Sequence, residues 1–341
     1  MNIISKKKLF FPISEALKEY LLQYNRLVKI PFTYSELLRY FHTIPQKDKH
    51  GKNTLWETVL FQPSEMDDIH HRLVKMYAMM KFDGNESLME HLLVERVDYC
   101  PFGNSKPFRI RIVNQYNDNH DYYYVKIADA SRVYGLELED LLSPNRINFL
   151  VDQDTLVEEH IAGIPGDMFM KPEYRWLEEN EVRLAKEFVK FNERCFVRLL
   201  GDMRAYNFVV DVTADFDDVQ YRFRAIDFDQ QCYEGKKNIY RPQYFKENKP
   251  FVDLGMRLLN EETTQQYQQE ERSLIAKRMK RASHRTARLL DAMCSDTISL
   301  PDKVETLKKE LAIHYDEPQF LKCTNMGEIM RISLNLVRDR H

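Results

Sequence analysis

Residues 199–210 read LLGDMRAYNFVV, and residues 225–229 read AIDFD. In the first segment Asp202 precedes Asn207 by five positions, and the apolar run that follows predicts a β-strand. In the second segment Asp227 and Asp229 follow another apolar run. Each of these residue types is common in turns when taken alone. Their order, and their position next to predicted strands, indicate one polar site rather than separate turns.

Carboxylate and amide groups in this order suit phosphoryl transfer from ATP. That reaction needs a carboxylate to orient the attacking hydroxyl, and an Asn and a second Asp to hold magnesium on the phosphates. The pattern resembles the catalytic and metal-binding loops of the protein-kinase-like fold. It is most similar to the aminoglycoside phosphotransferase and choline kinase group, in which Gly precedes the catalytic Asp. The resemblance implies ATP and Mg²⁺ as cofactors and Asp202 as the catalytic residue. It also implies Asn207, Asp227 and Asp229 as metal ligands.

Upstream of these segments, three runs of alternating apolar and polar residues predict consecutive strands. The predicted strands are residues 92–99, 108–113 and 122–127. In the resemblance they open the small lobe of a kinase, and Lys126 holds the α- and β-phosphates. The loop at 102–105, with Gly103 and Ser105, is then expected to cover the nucleotide. Taken alone, Lys126 is better interpreted as a solvated lysine on an edge strand; its place before a helix and ahead of the Asp202 segment favours the phosphate-binding role.

A helix is predicted over residues 132–142, with Ser131 as its N-cap. In the resemblance a glutamate of this helix holds the lysine of the preceding strand. Glu137 and Glu139 are the two candidates, and the apolar face of the helix lies nearer Glu137, which we therefore predict. The alternative is that both glutamates are solvated charges on an exposed flank.

Two further strands are predicted at residues 147–151 and 155–161. The end of the second strand, followed by a Gly/Pro turn, resembles the hinge between kinase lobes. The resemblance implies that backbone groups there bind the adenine edge, with Glu158, Glu159 and His160 as the candidates. Glu158 and His160 are the two hinge residues that we predict.

The rest of the chain predicts mainly helices. Residues 1–90 are expected to form a helical N-terminal extension, residues 91–162 a small β lobe, and residues 163–341 a large helical lobe. Asp253 is expected at the start of a helix, as an N-cap or as a hydrogen-bond partner of the catalytic loop backbone. The predicted fold class is α+β, a bilobal protein-kinase-like fold with a small antiparallel β lobe, a large helical lobe and this helical extension.

Composition is that of an ordinary globular protein. Fifty Lys and Arg nearly balance 53 Asp and Glu, giving a formal charge of −3, so no global field points to nucleic acid or to a membrane. Five cysteines occur without any C-x-x-C pair, which is typical of reduced thiols in a cytosolic protein. No stretch approaches transmembrane length. The predicted location is cytoplasmic.

Three functional hypotheses follow. The leading one is a phosphotransferase acting on a hydroxyl of a small-molecule acceptor, favoured by Gly201 before Asp202. The alternatives are an atypical protein Ser/Thr kinase, and a nucleotide-binding pseudokinase that binds a protein partner through the N-terminal helices. The pseudokinase is favoured by Leu200, where the family usually has His, and by the single glycine of the 102–105 loop. Retention of Lys126, Asp202, Asn207 and Asp227 favours an enzyme.

Overall fold

The computed structural model describes residues 8–48, 50–81, 86–177, 180–215 and 218–340. Within these ranges the chain folds as two compact units. The sheet unit takes in the described residues of Met1–Asp129 and Ile147–His160. The helical unit takes in those of Ala130–Arg146 and Ile161–His341. The protein is therefore of the α+β class.

The sheet unit is built on a seven-stranded antiparallel sheet in the spatial order β1-β2-β3-β4-β5-β7-β6. Its strands are β1 (His42–Lys47), β2 (Asn53–Leu60), β3 (Leu92–Tyr99), β4 (Phe108–Asn114), β5 (His120–Ile127), β6 (Phe149–Asp152) and β7 (Thr155–Glu159). Its helices are α1 (Glu15–Gln23), α2 (Tyr34–Leu37) and α3 (Pro63–Lys81). The strands predicted at 92–99, 108–113 and 122–127 are confirmed as β3, β4 and β5.

Alternation along the central strands creates the core of this unit. Phe108, Ile110 and Ile112 of β4 are buried on one face of the sheet, and Tyr123 and Val125 of β5 are buried with them. The residues between them in β4 are half-buried on the opposite face. Because side chains alternate across a strand, this period of two is what makes the sequence form an amphipathic sheet.

The prediction of a helical N-terminal extension is wrong for β1 (His42–Lys47) and β2 (Asn53–Leu60), which pair as antiparallel strands. Both strands are mostly exposed or half-buried, so they lack the clear alternation that identifies β4. Tertiary pairing decides their conformation instead, because Thr58 of β2 pairs with Asp98 of β3. Residues 1–7, 49 and 82–85 of the predicted extension lie outside the described residues. The boundaries at residues 91 and 163 remain predictions.

Three helices precede or follow the β1–β2 hairpin in the chain, and local caps explain the starts of two of them. Ser14 accepts a hydrogen bond from the Leu17 amide at the start of α1. Thr33 and Glu36 form a reciprocal capping box at the start of α2. Such caps satisfy amide groups that have no partner within the helix, and they can be identified from sequence alone.

Asp98 connects the hairpin to the rest of the sheet. Its side chain is completely buried and accepts hydrogen bonds from Arg96 at 2.8 Å and from Arg109 at 2.7 Å. The Thr58 hydroxyl donates to the same carboxylate at 3.1 Å, and the Gln46 amide also donates to it. One buried carboxylate therefore joins β1, β2, β3 and β4.

We expect Asp98→Asn to destabilise the sheet unit, because two arginines lose the carboxylate that they share. Breaking a buried ion pair costs about 3–5 kcal/mol, and the partial exposure of both arginines favours the lower end of that range. The matched control is Glu95→Gln, which removes the exposed partner of Arg111 on the same sheet and should cost less than about 1 kcal/mol. Urea unfolding of the three proteins measures both values. Equal losses in the two variants would contradict the role assigned to Asp98.

The helical unit surrounds a small sheet of order β10-β9-β8. Its strands are β8 (Ile164–Pro165), β9 (Phe208–Asp215) and β10 (Asp218–Ala225). Its helices are α4 (Ala130–Leu142), α5 (Gly166–Phe169), α6 (Glu181–Val197), α7 (Lys249–Leu258), α8 (Glu261–Arg281), α9 (Ser283–Cys294), α10 (Pro301–Tyr315) and α11 (Met326–Arg340). None of the helices in the described ranges combines the length and apolar character that crossing a membrane requires.

A cluster of aromatic rings seats the β9–β10 pair against α6. Phe208 of β9 lies 5.1 Å from Phe191 and 5.6 Å from Phe223, measured between ring centroids. Phe251 of α7 packs on the same cluster, 5.3 Å from Phe223. Phe208 pairs with Ala225 in the strand register, which confirms the predicted strand pair. The cluster thereby fixes the strand ends from which the polar residues project.

Buried ion pairs attach α4 to the helical unit, although α4 directly follows β5 in the chain. Glu139 forms a fully buried ion pair with Arg198, and Glu137 accepts a hydrogen bond from Arg285 at 2.6 Å. The Tyr134 hydroxyl donates to Asp296 at 2.9 Å. These contacts are spread along the helix, so α4 is held at several points.

The pH dependence of stability should report on His314 of α10. Burial and the neighbouring Arg241 charge lower the pKa of His314 to about 4, and its Nε2 atom lies 3.0 Å from Arg241 Nη2. The unfolded chain, with a histidine pKa of about 6.5, takes up a proton between these two values that the native protein does not. The free energy of unfolding should therefore decrease as pH falls from about 6.5 to about 4.

His314→Gln keeps a neutral hydrogen-bond acceptor and removes the titrating ring. We expect the stability difference between wild type and His314→Gln to shift in favour of the variant as pH falls from 7.5 to 4.5. Chemical denaturation at several pH values measures this difference. A difference that does not change with pH would contradict the assigned pKa.

Candidate active site

Two segments that lie apart in sequence form one pair of loops in the helical unit. We call them the Asp202 loop (residues 198–207) and the Asp227 loop (residues 227–232). The Gly201 amide donates to the Gln230 carbonyl at 3.2 Å, and the Cys232 amide donates to the Leu199 carbonyl at 2.8 Å. The two segments predicted from sequence to form one site are therefore in contact.

The backbone of the Asp202 loop is bent at two positions. Leu199 and Asp202 have φ values of 52° and 56°, in the left-handed region. Asp adopts this conformation more readily than most residues, whereas a bulky residue such as Leu does so at a cost of roughly 1–2 kcal/mol. The contacts to the Asp227 loop offset that cost.

Asn207 connects the loop to the strand pair. Its side-chain amide donates to the Asp202 carbonyl at 2.7 Å, so the amide oxygen faces away from that carbonyl. The Ile226 amide donates to the Asn207 carbonyl at 3.0 Å, which continues the β9–β10 register by one more pair. Asn207 and Asp227 consequently leave the ends of neighbouring strands side by side.

The Asp202 carboxylate is held by a chain of charges. Arg204 donates through Nε to Asp202 at 2.8 Å and through Nη1 to Glu247 at 3.0 Å. Burial raises the pKa of the Asp202 carboxyl, and the hydrogen bond and charge of Arg204 oppose that rise. The carboxylate therefore has a defined position. Arg204, two residues after Asp202, is a partner that the sequence interpretation missed although it stands within the quoted segment.

Asp227 and Asp229 share one arginine of α4. Arg132 Nη1 lies 2.9 Å from Asp227 Oδ1 and 2.7 Å from Asp229 Oδ1. The Asp229 amide also donates to Asp227 Oδ1, at 3.0 Å. No sequence signal distinguishes Arg132 from other arginines, since it is 95 positions from Asp227. It is the main residue of this site that sequence could not identify.

In the sheet unit, Lys126 and Glu158 form a buried ion pair of 2.8 Å. The prediction assigned Glu158 a backbone role, and the structure adds this side-chain contact. His160 Nδ1 lies 3.3 Å from the Tyr124 hydroxyl. Gly103 and Ser105 lie between β3 and β4, in a turn closed by a 3.2 Å hydrogen bond from the Lys106 amide to the Gly103 carbonyl. The nucleotide-binding roles of these residues remain predictions.

The two candidate glutamates of α4 are not solvated charges, which excludes that alternative. Arg285 approaches both carboxylate oxygens of Glu137, at 2.9 and 2.6 Å, and Glu139 is paired with Arg198. The pairing of Glu137 with Lys126 that the resemblance implies remains a prediction.

The prediction for Asp253 as an N-cap is wrong. The helix α7 begins at Lys249, after Asn248, and Asp253 is an exposed residue within it that pairs with Lys249. Asn248 makes the contact to the loop instead. Its buried side-chain amide donates to the Met203 carbonyl at 2.8 Å and to the Pro242 carbonyl at 2.7 Å.

We expect Asn248→Ala to loosen the Asp202 loop, because the Met203 carbonyl loses its side-chain donor, whereas the Pro242 carbonyl keeps the Phe245 amide as a donor. Each buried acceptor without a partner costs about 1–3 kcal/mol. Hydrogen exchange at the Gly201 and Asp202 amides should accelerate, and the free energy of unfolding should fall. The matched control is Asn260→Ala, which removes an exposed cap of α8 and should cost about 1 kcal/mol without affecting these amides. Unchanged exchange in Asn248→Ala would contradict the anchoring role.

The donor set in the helical unit is chemically suited to magnesium. Carboxylate and amide oxygens are the hard ligands that Mg²⁺ prefers, and Mg²⁺ is usually bound by one or two carboxylates together with phosphate oxygens and water. Within the described ranges, no cluster of three or more His, Cys, Asp or Glu side chains forms a metal site by itself. Asn207 and Asp227 provide an amide oxygen and a carboxylate of this kind at the ends of neighbouring strands.

Comparison with known proteins identifies no relative. No protein-family profile matches the sequence, and no curated protein matches it. A function for this chain must therefore be argued from its own residues.

Proposed function

We propose that the protein is an ATP- and Mg²⁺-dependent phosphotransferase that moves the γ-phosphate to a hydroxyl of a small-molecule acceptor. The observation that carries the proposal is the junction of the Asp202 and Asp227 loops, which brings a carboxylate, an amide and a second carboxylate into one site. In this proposal the sheet unit and the helical unit are the counterparts of the small and large lobes of a protein-kinase-like fold.

Asp202 is the group that orients the acceptor hydroxyl and receives its proton. A carboxylate can do this only if its position is defined relative to the reacting oxygen. The hydrogen bond from Arg204, which also pairs with Glu247, fixes the position of the Asp202 carboxylate.

Asn207 and Asp227 are the residues that hold the metal. Bound ATP and Mg²⁺ supply the phosphoryl donor and neutralise its phosphate charge. The hydrogen bond from Asn207 to the Asp202 carbonyl couples the metal ligand to the catalytic residue. A change at either residue should therefore affect the other.

Lys126 is the residue of the sheet unit that binds phosphate in this proposal. Its ammonium group is buried and paired with Glu158, which limits its rotamers. A lysine ammonium group has three donors, so a lysine that pairs with a carboxylate can also donate to a phosphate oxygen.

A second candidate, the nucleotide-binding pseudokinase, is favoured by one observation. Arg132 already pairs with Asp227 and Asp229, the carboxylates that an enzyme would use for metal, and Arg204 likewise pairs with Asp202. A site with these cations in place could bind a nucleotide without magnesium and without transferring phosphate.

Magnesium dependence separates the two candidates. For the phosphotransferase, ATP with Mg²⁺ should raise the thermal unfolding temperature more than ATP with EDTA, and Asp227→Asn should abolish the difference. A ligand at a hundred times its dissociation constant adds about 2.7 kcal/mol to native stability. The matched control is Asp291→Asn, which removes an exposed carboxylate of the same unit and should respond like wild type.

An acceptor screen follows with ³²P-labelled ATP, with Asp202→Asn as the inactive variant. Loss of transfer with retained nucleotide binding in Asp202→Asn would support the catalytic role. A rise in unfolding temperature with ATP that is the same with and without magnesium, and the same in Asp227→Asn as in wild type, would favour the pseudokinase. No stabilisation by any nucleotide would overturn both candidates.

A further inference from the structure

Arg132 occupies an unusual position for a buried arginine. One of its nitrogens contacts two carboxylates at once, at 2.9 Å from Asp227 and 2.7 Å from Asp229. The Arg132 side chain is only 2% exposed. A metal ion bound by both carboxylates would also place one positive charge between them. Arg132 therefore takes the position that such an ion would have.

Arg132 cannot lose its charge or easily leave. A guanidinium group stays protonated at any physiological pH. The α4 helix that carries it is fixed by the buried pair of Glu139 with Arg198 and by the pair of Glu137 with Arg285. Moving α4 away from the site would require these pairs to break, and moving the 2% exposed Arg132 side chain would leave Asp229 buried without its partner.

The two aspartates differ in their access to solvent. The Asp227 side chain is 35% exposed, whereas that of Asp229 is 9% exposed. An ion that arrives with a nucleotide can therefore reach Asp227 more readily than Asp229. The Asp229 carboxylate is mostly buried and lies 2.7 Å from Arg132 Nη1, so it is positioned to pair with Arg132.

We propose that the site binds one divalent ion, at Asn207 and Asp227, and that Arg132 stands permanently in place of a second ion. This inference rests on the proposed function, because it concerns the metal that accompanies the nucleotide. Arg132 and the two aspartates together carry a net charge of −1, whereas the two aspartates alone would carry −2. The smaller negative charge favours the binding of one dication and disfavours the binding of two. Asp229 then acts by holding Arg132 and is a positioning residue rather than a metal ligand.

The test uses Mn²⁺ with AMP-PNP, a non-hydrolysable ATP analogue, and electron paramagnetic resonance of the full-length protein. Two ions in one site lie about 3.5–4 Å apart, close enough for their spins to couple. We expect wild type to bind one Mn²⁺ per nucleotide, with the spectrum of an isolated ion. Arg132→Met should bind a second ion and give a coupled spectrum. Arg272→Met removes an arginine paired with buried Glu193 and is the matched control, expected to resemble wild type.

Asp229→Asn provides a second arm that does not depend on the folding of Arg132→Met. We expect the increase in the Mn²⁺ dissociation constant to be at least tenfold smaller in Asp229→Asn than in Asp227→Asn. A coupled pair in wild type, one ion in folded Arg132→Met, or equal losses in the two aspartate variants would overturn the one-ion proposal alone. Binding of AMP-PNP without Mn²⁺, or no binding of AMP-PNP, would overturn the proposed phosphotransferase as well.

Discussion

The contact between the Asp202 and Asp227 loops is the constraint on which the candidate site depends. Backbone hydrogen bonds join Gly201 to Gln230, Leu199 to Cys232 and Asn207 to Ile226. The last of these extends the β9–β10 ladder, so the position of the site follows from the strand register. Because that register is fixed by the aromatic cluster beneath it, the polar groups are held by an apolar core. Catalytic groups supported in this way lose little entropy when they act.

Buried charge is the second feature that shapes the helical unit. Glu139 with Arg198, Arg194 with Glu271, and Arg132 with Asp229 are all buried. Such pairs contribute little net stability, because removing both charges from water costs nearly as much as their attraction returns. These pairs instead fix the positions of the elements that carry them, because a buried charge is strongly destabilising anywhere but opposite its partner. The placement of Arg132 at the Asp227 loop is thus a consequence of the way α4 is held.

Local sequence patterns predicted much of the fold, and particular residues show why. Phe108, Ile110 and Ile112 alternate with polar residues, so β4 could be identified without any tertiary information. Ser14 and Thr33 mark helix starts by satisfying nearby amides. The β1–β2 hairpin was missed because its strands are held by a carboxylate of β3, and its own residues carry no comparable pattern.

The sequence by itself determined the central strands β3, β4 and β5, the caps at Ser14 and Thr33, and the spacing of Asp202, Asn207 and Asp227, because each of these depends on residues close together in the chain. Only the tertiary structure decided which charges meet. Lys126 pairs with Glu158 across 32 positions, and Arg132 pairs with Asp227 across 95. An arginine or lysine can pair with any acidic residue, so composition and spacing do not select the partner. Packing selects it, because burial tolerates a charge only where an opposite charge is already in place.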